Sequence, residues 1–204
     1  MTLGLALVLA APAVLLVGYI GYPIMLFALR RSRYRVPVAS PAEWPAITIC
    51  VPVYNEERAL PATLDQILAA DYPADKRDVL VISDASTDRT DEIARSYADR
   101  GVRLVRLPQR SGKTAAENEA GRHLTGSIVV NMDATVRVPP DAIKALVSAF
   151  IDPTVGVASG RDVSVGDESK ETNRDESTYV GYEMWVRRLE TESGTIVGAS
   201  GCFY

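Results

Sequence analysis

A single aspartate follows an apolar run in the segment NMDATVRVPP, residues 131–140, which comes directly after Ile128-Val129-Val130. A carboxylate at the carboxyl end of a buried strand can hold a divalent metal ion and, through that ion, a phosphate group. Sites of this type usually offer two acids separated by one residue, but here Asp133 is followed by Thr135. The segment therefore predicts either a metal site with one carboxylate or only the end of a strand.

Polar residues follow three further apolar runs. Each cluster alone is explained by helix capping, or by the favourable interaction of an acid with the start of a helix. If all four strand ends lie at one edge of a sheet, a binding crevice is the better explanation. The three further clusters are Tyr54-Asn55-Glu56-Glu57, Asp84-Ala85-Ser86-Thr87-Asp88 and Arg110-Ser111-Gly112-Lys113.

The sequence SGKT at 111–114 resembles part of the phosphate-binding loop of NTPases. That loop requires a glycine five residues before Gly112, and this position holds Leu107. No G-x-G-x-x-G sequence follows the first apolar run either. An NTPase and a dinucleotide-binding fold are therefore both poorly supported, and Lys113 is left as a single phosphate contact at a helix start.

The elements that must position these residues alternate along the chain. The strands are apolar through their length, which is typical of a parallel α/β sheet covered by helices on both faces. Ligands bind such sheets outside the carboxyl ends of the strands, where the four polar clusters are predicted to meet. Strands are predicted at 46–53, 78–83, 102–107 and 127–132, and helices at 57–70, 86–101, 112–124 and 139–151.

The remainder of the chain is less regular. We predict a strand at 155–165, a polar loop at 166–175, a helix at 175–192 and the beginning of another strand in 195–204. The net charge of −4 gives no reason to expect a nucleic-acid partner. The two cysteines have no zinc-like spacing and indicate a reducing compartment.

The first 29 residues contain no charged side chain, and about 20 apolar residues suffice to cross a bilayer. Four arginines then follow within RRSRYR, residues 30–35. The positive-inside rule therefore predicts an inner or plasma membrane protein with its N-terminus outside and the rest of the chain in the cytoplasm.

A cleaved signal peptide is the competing interpretation, since APA at 11–13 resembles a cleavage site. Against it, no basic segment precedes the apolar run, and the run continues well beyond APA. We therefore predict a transmembrane helix at 1–29, a basic and proline-rich linker at 30–45 and one globular domain at 46–204.

Four segments in this order, VPVYNEE, VISDASTDRT, GKTAAEN and MDATVRVPPD, resemble the family 2 glycosyltransferases, which have the GT-A fold. The resemblance covers residues 46–204, and the N-terminal run with YPIMLF is similar to that of membrane-anchored bacterial members. It implies an inverting glycosyltransferase that moves a sugar from a nucleotide sugar, usually a UDP-sugar. The acceptor implied is a polysaccharide or glycolipid at the cytoplasmic membrane face.

The resemblance also implies roles for individual residues. Asp84 matches the acid that binds the base, and Asp133 matches the first acid of a D-x-D motif, with Thr135 in place of the second. The residues implied to contact the nucleotide sugar are Pro52, Tyr54, Glu56, Asp84, Lys113, Asn118 and Asp133.

A carboxylate beside a diphosphate requires a cation. Two unit charges ~5 Å apart at an effective dielectric constant of ~20 interact by roughly 3 kcal/mol, so Asp133 would repel the donor unless a metal ion lay between them. Mg²⁺ and Mn²⁺ need few protein carboxylates when phosphates and water complete the coordination. We therefore expect Asp133 to bind Mg²⁺ or Mn²⁺ more weakly than two acids would.

The resemblance places the catalytic base after the strand that SGCFY begins, and therefore beyond Tyr204. We expect the chain to be an inactive fragment that lacks the acceptor part of the enzyme. Two alternatives remain open. One is a non-catalytic nucleotide-binding membrane protein, and the other is a sugar nucleotidyltransferase, which would need a glycine- and arginine-rich loop where YNEERAL stands.

Overall fold

The structure of the protein is a computed structural model that describes residues 10, 12–30, 40–161, 171–194, 196–199 and 201–204, with side chains described in these ranges except at 171–179. Two compact units are present. The helical unit comprises Met1–Val36 and Arg161–Gly198, and the sheet unit comprises Pro37–Gly160 and Ala199–Tyr204.

The helical unit contains helix α1 (Pro12–Leu29) and helix α6 (Glu171–Ser193). Helix α1 includes a π-helical turn at Val17–Gly21. By length and composition, α1 is the one helix among the described residues that could cross a membrane. Leu26 of α1 and Leu189 of α6 are buried, whereas most of the remaining apolar side chains of α1 are exposed.

The sheet unit is built on four parallel strands, β1 (Ile47–Val53), β2 (Arg77–Ser83), β3 (Val102–Arg106) and β4 (Ile128–Asn131). They lie in the order β3-β2-β1-β4. Ile47 of β1 pairs with Arg77 on one side and with Ile128 on the other. The parallel sheet predicted from the continuous apolar runs is confirmed.

Strand β1 is central and is the point where the chain changes direction across the sheet. The chain builds β2 and β3 on one side of β1 and then returns to place β4 on the other side. In sheets with this order, ligands bind beyond the carboxyl ends of the strands where the connections diverge. The loops after β1 and β4 are therefore the expected position of a site.

A helix follows each strand in turn: α2 (Leu60–Leu68), α3 (Thr90–Ser96), α4 (Lys113–Ala120) and α5 (Ala142–Ser148). Alternate strand residues face opposite sides of the sheet. Ile49 and Val51 pack in one core with residues of α2, α3 and α5. Cys50 and Leu80 pack in a second core with Ala116 and Ala120 of α4. The sheet is therefore covered by helices on both faces, as the sequence predicts.

The helix predicted at 175–192 is longer in the structure, Glu171–Ser193, so the polar loop predicted at 166–175 is wrong from Glu171 onward. The four helices predicted after the strands are shorter in the structure than in the sequence pattern. The helix predicted at 57–70 begins only at Leu60, and the helix predicted at 86–101 begins at Thr90. The residues before each helix make hydrogen bonds between neighbouring loops instead of within a helix. Single 3-10 turns lie at Ala74–Lys76, Ala98–Arg100 and Ala149–Ile151.

The two strands predicted late in the chain are not formed as predicted. Residues 155–161 have no regular structure, and 162–165 lie outside the described residues. Among the described residues of 195–204 there is one antiparallel bridge, between Met132 and Phe203, flanked by hydrogen bonds that join the backbones of Asn131 and Tyr204. Too few residues of this segment lie beside β4 to extend the ladder further.

Candidate functional site

A cleft of about 220 Å³ opens at the carboxyl end of the sheet. Six of the seven residues that the sequence singled out line it. The seventh, Asn118, is exposed on α4 and does not line the cleft. The lining residues are Pro52, Val53, Tyr54, Glu56, Asp84, Lys113, Ala116, Asp133, Ala134 and Thr135.

The loops after β1 and β2 turn sharply at two residues in the left-handed backbone conformation, Asn55 (φ 55°) and Ala85 (φ 57°). This conformation costs an alanine roughly 1–2 kcal/mol, so it persists only where the surroundings hold it. The Ser86 hydroxyl accepts a hydrogen bond from the Asn55 N–H, 3.2 Å away, and the Asn55 side-chain oxygen accepts one from the Thr87 N–H, 2.8 Å away. The two turns therefore hold each other.

The same two loops are joined again one turn later. The Glu56 N–H donates to the Thr90 hydroxyl at 2.8 Å, and the Glu57 N–H donates to the Asp88 carboxylate at 3.1 Å. Burial alone would raise the pKa of Asp88, but hydrogen bonds from Thr90 and from the Glu57 backbone hold that pKa below its ordinary value. The sequence pattern of Glu57 and Asp88 indicates acids near helix starts and gives no signal of this contact between the loops.

Asp84 directly follows β2, is almost fully buried and accepts hydrogen bonds from two consecutive backbone N–H groups. The Ser111 N–H lies 2.6 Å from Oδ1, and the Gly112 N–H lies 2.8 Å from Oδ2. Gly112 has φ 91°, a conformation that favours glycine. Asp84 thus fixes the turn that starts α4 and presents Lys113 to the cleft.

The ammonium group of Lys113 contacts several oxygens at the edge of the cleft. Its Nζ lies 2.6 Å from Asp133 Oδ1 and 2.7 Å from the carbonyl oxygen of Gly201. Glu117 lies 4.0 Å away and accepts a hydrogen bond from the Tyr204 hydroxyl. Burial and the nearby carboxylate of Glu117 raise the pKa of Tyr204. The contacts with Gly201 and Tyr204 carried no signal in the sequence.

An aromatic ring and a cation lie together at the outer side of the cleft. The guanidinium carbon of Arg110 lies 4.0 Å from the centre of the Tyr54 ring, within range of a cation–π interaction. Tyr54 lines the cleft and Arg110 is exposed in the loop before α4. A planar ring of this kind can stack on a nucleobase.

The chemistry of the cleft suits a divalent cation only in part. Oxygen ligands are those that Mg²⁺ and Mn²⁺ prefer. However, the described residues include no cluster of three acids, histidines or cysteines that could hold a metal ion, and Asp133 Oδ1 is already bonded to Lys113. Asp133 is one of three carboxylates in the cleft lining, with Glu56 and Asp84, and Asp84 is already bonded to two backbone N–H groups. Most ligands of a metal ion bound at Asp133 would therefore have to come from water and a phosphorylated substrate.

Comparison with known proteins agrees with this geometry. The sequence profile of Glycosyl transferase family 2 matches residues 48–203, which is most of the chain. The chain belongs to glycosyltransferase family 2. The match covers the whole sheet except Ile47, and every residue of the cleft lining.

Two curated relatives illustrate the similarity. A beta-monoglucosyldiacylglycerol synthase of Synechocystis sp. is 27% identical over 162 residues, covering 78% of this chain and 34% of the synthase. An N-acetylglucosaminyltransferase of Sinorhizobium fredii is 35% identical over 129 residues, covering 61% of this chain and 31% of the relative. The chain thus spans about a third of the length of these relatives.

A solved structure supports the GT-A-like fold of this family 2 chain. The mannosyltransferase PcManGT from Pyrobaculum calidifontis, in complex with GDP-Man and Mn²⁺, superposes with a TM-score of 0.60 and 36% identity. The similarity covers 72% of this chain and 45% of the mannosyltransferase. The GT-A fold expected from the sequence is confirmed.

Proposed function

We propose that the protein is an inverting glycosyltransferase that moves a sugar from a nucleoside diphosphate sugar to a polysaccharide or glycolipid acceptor at the cytoplasmic face of the membrane. The observation that carries the proposal is the cleft, which collects six residues from four strand ends in a chain of family 2. The names of the relatives support a saccharide or glycolipid as the acceptor.

The nucleoside would occupy the side of the cleft formed by the loops after β1 and β2. The Tyr54 ring offers a stacking surface, and Pro52 and Glu56 lie beside it in the lining. Asp84 is held by two backbone N–H groups, and each carboxylate oxygen has a second lone pair for the base. UDP and GDP are the nucleotides to test. The resemblance favours UDP, and PcManGT was solved with GDP-Man.

The diphosphate would lie near Lys113 and Asp133. Lys113 is the first residue of α4, and the backbone N–H groups at this helix start favour an anion, as does the Lys113 ammonium. Phosphate oxygens would compete with Asp133 Oδ1 for Lys113, which would release that carboxylate for a cation. We assign Asp133 as the ligand of a divalent metal ion, which when bound neutralises charge on the leaving diphosphate. The Mn²⁺ in the PcManGT complex supports this assignment.

Inversion requires an acceptor hydroxyl to attack the anomeric carbon opposite the leaving diphosphate while a base takes its proton. The two aspartates of the cleft have other partners: Asp84 bonds to backbone N–H groups and Asp133 to Lys113. Neither aspartate is therefore assigned as this base. We propose that the apolar helix α1 anchors the enzyme in the inner or plasma membrane, in agreement with its length and composition.

Calorimetric titration of the chain in lipid nanodiscs tests this proposal. UDP, GDP and CMP are titrated with and without Mn²⁺ into wild type and Asp133→Asn. We expect one of the diphosphates to bind only with Mn²⁺, and Asp133→Asn to weaken that binding roughly 100-fold, the equivalent of ~3 kcal/mol. Asp99→Asn, at an exposed aspartate in the turn Ala98–Arg100, is the control and should bind like wild type.

Two results would contradict parts of the proposal. Binding that needs no Mn²⁺ and survives Asp133→Asn would remove the metal assignment and keep the nucleotide site. Absence of nucleotide binding by a well-folded wild-type chain would argue against the donor site itself.

A further inference from the structure

The buried face of helix α2 carries a polar residue among apolar ones. Leu60, Leu64 and Ile67 lie on this face, and Thr63 between them is fully buried as well. A hydroxyl removed from water costs free energy unless it is hydrogen-bonded. Valine has the same shape and would fill the position without this cost, so the partners of the Thr63 hydroxyl indicate its role.

The Thr63 hydroxyl bonds to the loop that carries Asp133. It donates to the carbonyl oxygen of Ala134, the residue directly after Asp133. It also lies 3.1 Å from the carbonyl oxygen of Ala59, four residues earlier in the chain. Ala134 lines the cleft and is almost fully buried, so its carbonyl oxygen depends on the protein for a hydrogen bond.

A guanidinium group contacts the Thr63 hydroxyl as well. Nη1 of Arg137 donates to the Thr63 oxygen at 2.9 Å and to the carbonyl oxygen of Val136 at 2.9 Å. It also lies 3.4 Å from the Ala134 oxygen. Because a hydroxyl has only one hydrogen, a guanidinium bound to its lone pair leaves that hydrogen to donate to a carbonyl. Arg137 therefore orients the Thr63 hydroxyl.

The loop after β4 is anchored to α2 at a second point. The Val136 N–H donates to the Asp133 carbonyl oxygen at 3.1 Å, which closes a turn at 133–136. The Val138 N–H then donates to the side-chain oxygen of Gln66, 3.3 Å away and three residues after Thr63 on α2. The turn that carries Asp133 is therefore held against α2 within the turn and again just after it.

The same helix is joined to the side of the cleft that we propose for the nucleoside. Helix α2 begins at Leu60, whose N–H donates to the carbonyl oxygen of Glu56 at 2.9 Å. Glu56 lines the cleft in the loop after β1. Helix α2 thus connects the loop after β1 with the turn that carries Asp133, and Thr63 is the point where that turn is attached.

We propose that Thr63 is a positioning residue for the metal site. Through the Ala134 oxygen, its hydroxyl holds the Asp133 carboxylate where a cation can join it to the diphosphate of a bound nucleotide. This role rests on the donor site proposed above. Thr63 is not among the residues that line the cleft, so it acts through Asp133 and not on the ligand.

Calorimetric titration of the chain in lipid nanodiscs with UDP and GDP, in the presence of Mn²⁺, tests this role. Thr63→Val keeps the shape of the side chain and removes the hydroxyl. It should weaken binding of the diphosphate that wild type binds roughly tenfold, the loss expected for one to two hydrogen bonds. Thr63→Ser keeps the hydroxyl and should bind within about threefold of wild type.

A double-mutant cycle separates positioning from a general effect on the fold. If Thr63 acts through the Asp133 carboxylate, Thr63→Val should cause no further loss of affinity in an Asp133→Asn background. A general loosening of the cleft would instead weaken binding by the same factor in both backgrounds.

Thr48→Val is the matched control for Thr63→Val. Thr48 is also a fully buried threonine whose hydroxyl bonds to the backbone of another segment, but it lies in β1 near the amino end of the sheet. Both valine variants should unfold at a lower urea concentration than wild type. Only Thr63→Val should weaken binding of the diphosphate with Mn²⁺.

Arg137→Met provides a second variant that leaves the core intact, because Arg137 is exposed and does not line the cleft. It should weaken binding with Mn²⁺ about threefold, less than Thr63→Val does, since the hydroxyl is still present but is no longer oriented. This loss should also disappear in the Asp133→Asn background.

Several results would overturn the role of Thr63. These are wild-type affinity in both Thr63→Val and Arg137→Met, a loss in Thr63→Val that Thr63→Ser does not recover, and a loss that persists in full with Asp133→Asn. Failure of the donor site itself would differ, because wild type would then bind neither UDP nor GDP.

Discussion

The two ends of the parallel sheet contain similar polar residues and use them in different ways. At the amino end, Asp78 of β2 receives hydrogen bonds from Arg103 of β3 and from Thr125. At the carboxyl end, Asp133 receives one from Lys113. Each end therefore has an aspartate paired with a basic residue from a neighbouring segment, but their surroundings differ.

At the amino end the groups form a closed network. The Arg103 guanidinium bonds to both Asp78 oxygens and to the backbone oxygen of His123. The Thr48 hydroxyl accepts hydrogen bonds from the backbone N–H groups of Thr125 and Gly126. Burial alone would raise the pKa of Asp78, but the hydrogen bonds from Arg103 and Thr125 hold that pKa below its ordinary value.

At the carboxyl end the groups surround an open cleft. The side chains of Lys113 and Asp133 are 44% and 32% exposed, compared with 20% for Asp78. The backbone there is held by hydrogen bonds between loops, which leave Tyr54 and Lys113 facing open space. The comparison indicates that polar residues at the amino end stabilise the fold, whereas those at the carboxyl end are kept available for a ligand.

The largest effect is expected from Gly126→Ala at the amino end. A Cβ atom at this position would clash with the backbone of Ile47 and Thr48, and only a shift of the backbone could relieve the clash. We expect a loss of at least about 3 kcal/mol in the free energy of unfolding, measured with urea. Gly156→Ala is the control, because no atom lies within 4 Å of its added Cβ. Equal stability of the two variants would contradict the close packing at this end.

A smaller loss is expected from Asp78→Asn, about 2 kcal/mol at neutral pH, because the variant leaves Arg103 without its charged partner. The pKa of Asp78 is lower in the folded protein than in the unfolded chain. Its contribution to the free energy of unfolding is therefore present above the unfolded pKa of about 4 and is lost as the pH falls through the folded pKa. The stability difference between wild type and variant should therefore shrink below about pH 4. A difference that stays constant from pH 7 to pH 3 would contradict this role. Nucleotide binding at neutral pH should be unchanged.

The sequence predicted the sheet and the position of the cleft because both follow from local patterns. Continuous apolar runs indicate buried parallel strands, and the carboxyl ends of such strands meet at one edge. The face of α4 on which Asn118 lies also follows from helix spacing. The face toward the sheet and the cleft carries Lys113, Ala116 and Ala120. At 3.6 residues per turn, Asn118 lies about 140° around the helix from Lys113 and therefore points away from the cleft. Its role as a nucleotide contact stays a prediction.

The contacts that hold the site could not be predicted from local patterns. Ser86, Asp88 and Thr90 bond to residues about 30 positions earlier in the chain, and Gly201 bonds to Lys113 from 88 positions away. Such pairs depend on the relative position of separate elements, which hydrophobic periodicity does not specify. The left-handed conformation of Ala85 gave no signal either, since alanine rarely adopts it.

At the carboxyl end, Lys113→Met should affect ion binding and leave stability almost unchanged. An exposed ion pair contributes at most about 1 kcal/mol to folding. Removing the ammonium frees Asp133 and removes a positive charge next to the metal position, so Mn²⁺ without nucleotide should bind roughly tenfold tighter. Electron paramagnetic resonance of free Mn²⁺ measures this directly.

Lys144→Met is the matched control for Lys113→Met. Lys144 also forms an ion pair with an aspartate, Asp71, at 2.7 Å, and neither residue lines the cleft. Its loss should leave Mn²⁺ binding unchanged. If both variants bind Mn²⁺ as wild type does, Asp133 is not the metal ligand.

The smallest effect is expected from Arg110→Ala, which removes the guanidinium 4.0 Å from the Tyr54 ring. A cation–π contact at an exposed site contributes about 0.5–1 kcal/mol, so the unfolding free energy should fall by no more than about this amount. Because Arg110 holds the Tyr54 ring on which the base is proposed to stack, nucleotide affinity should fall about two- to fivefold. Arg89→Ala, at an exposed arginine of the loop before α3, is the control. Arg110→Lys should recover part of the affinity, since an ammonium also interacts with the ring. A residue that supports the Tyr54 ring should affect binding of the base whether or not phosphate is attached. If Arg110→Ala weakens binding of the nucleoside diphosphate but not of the free nucleoside, Arg110 contacts the phosphates instead.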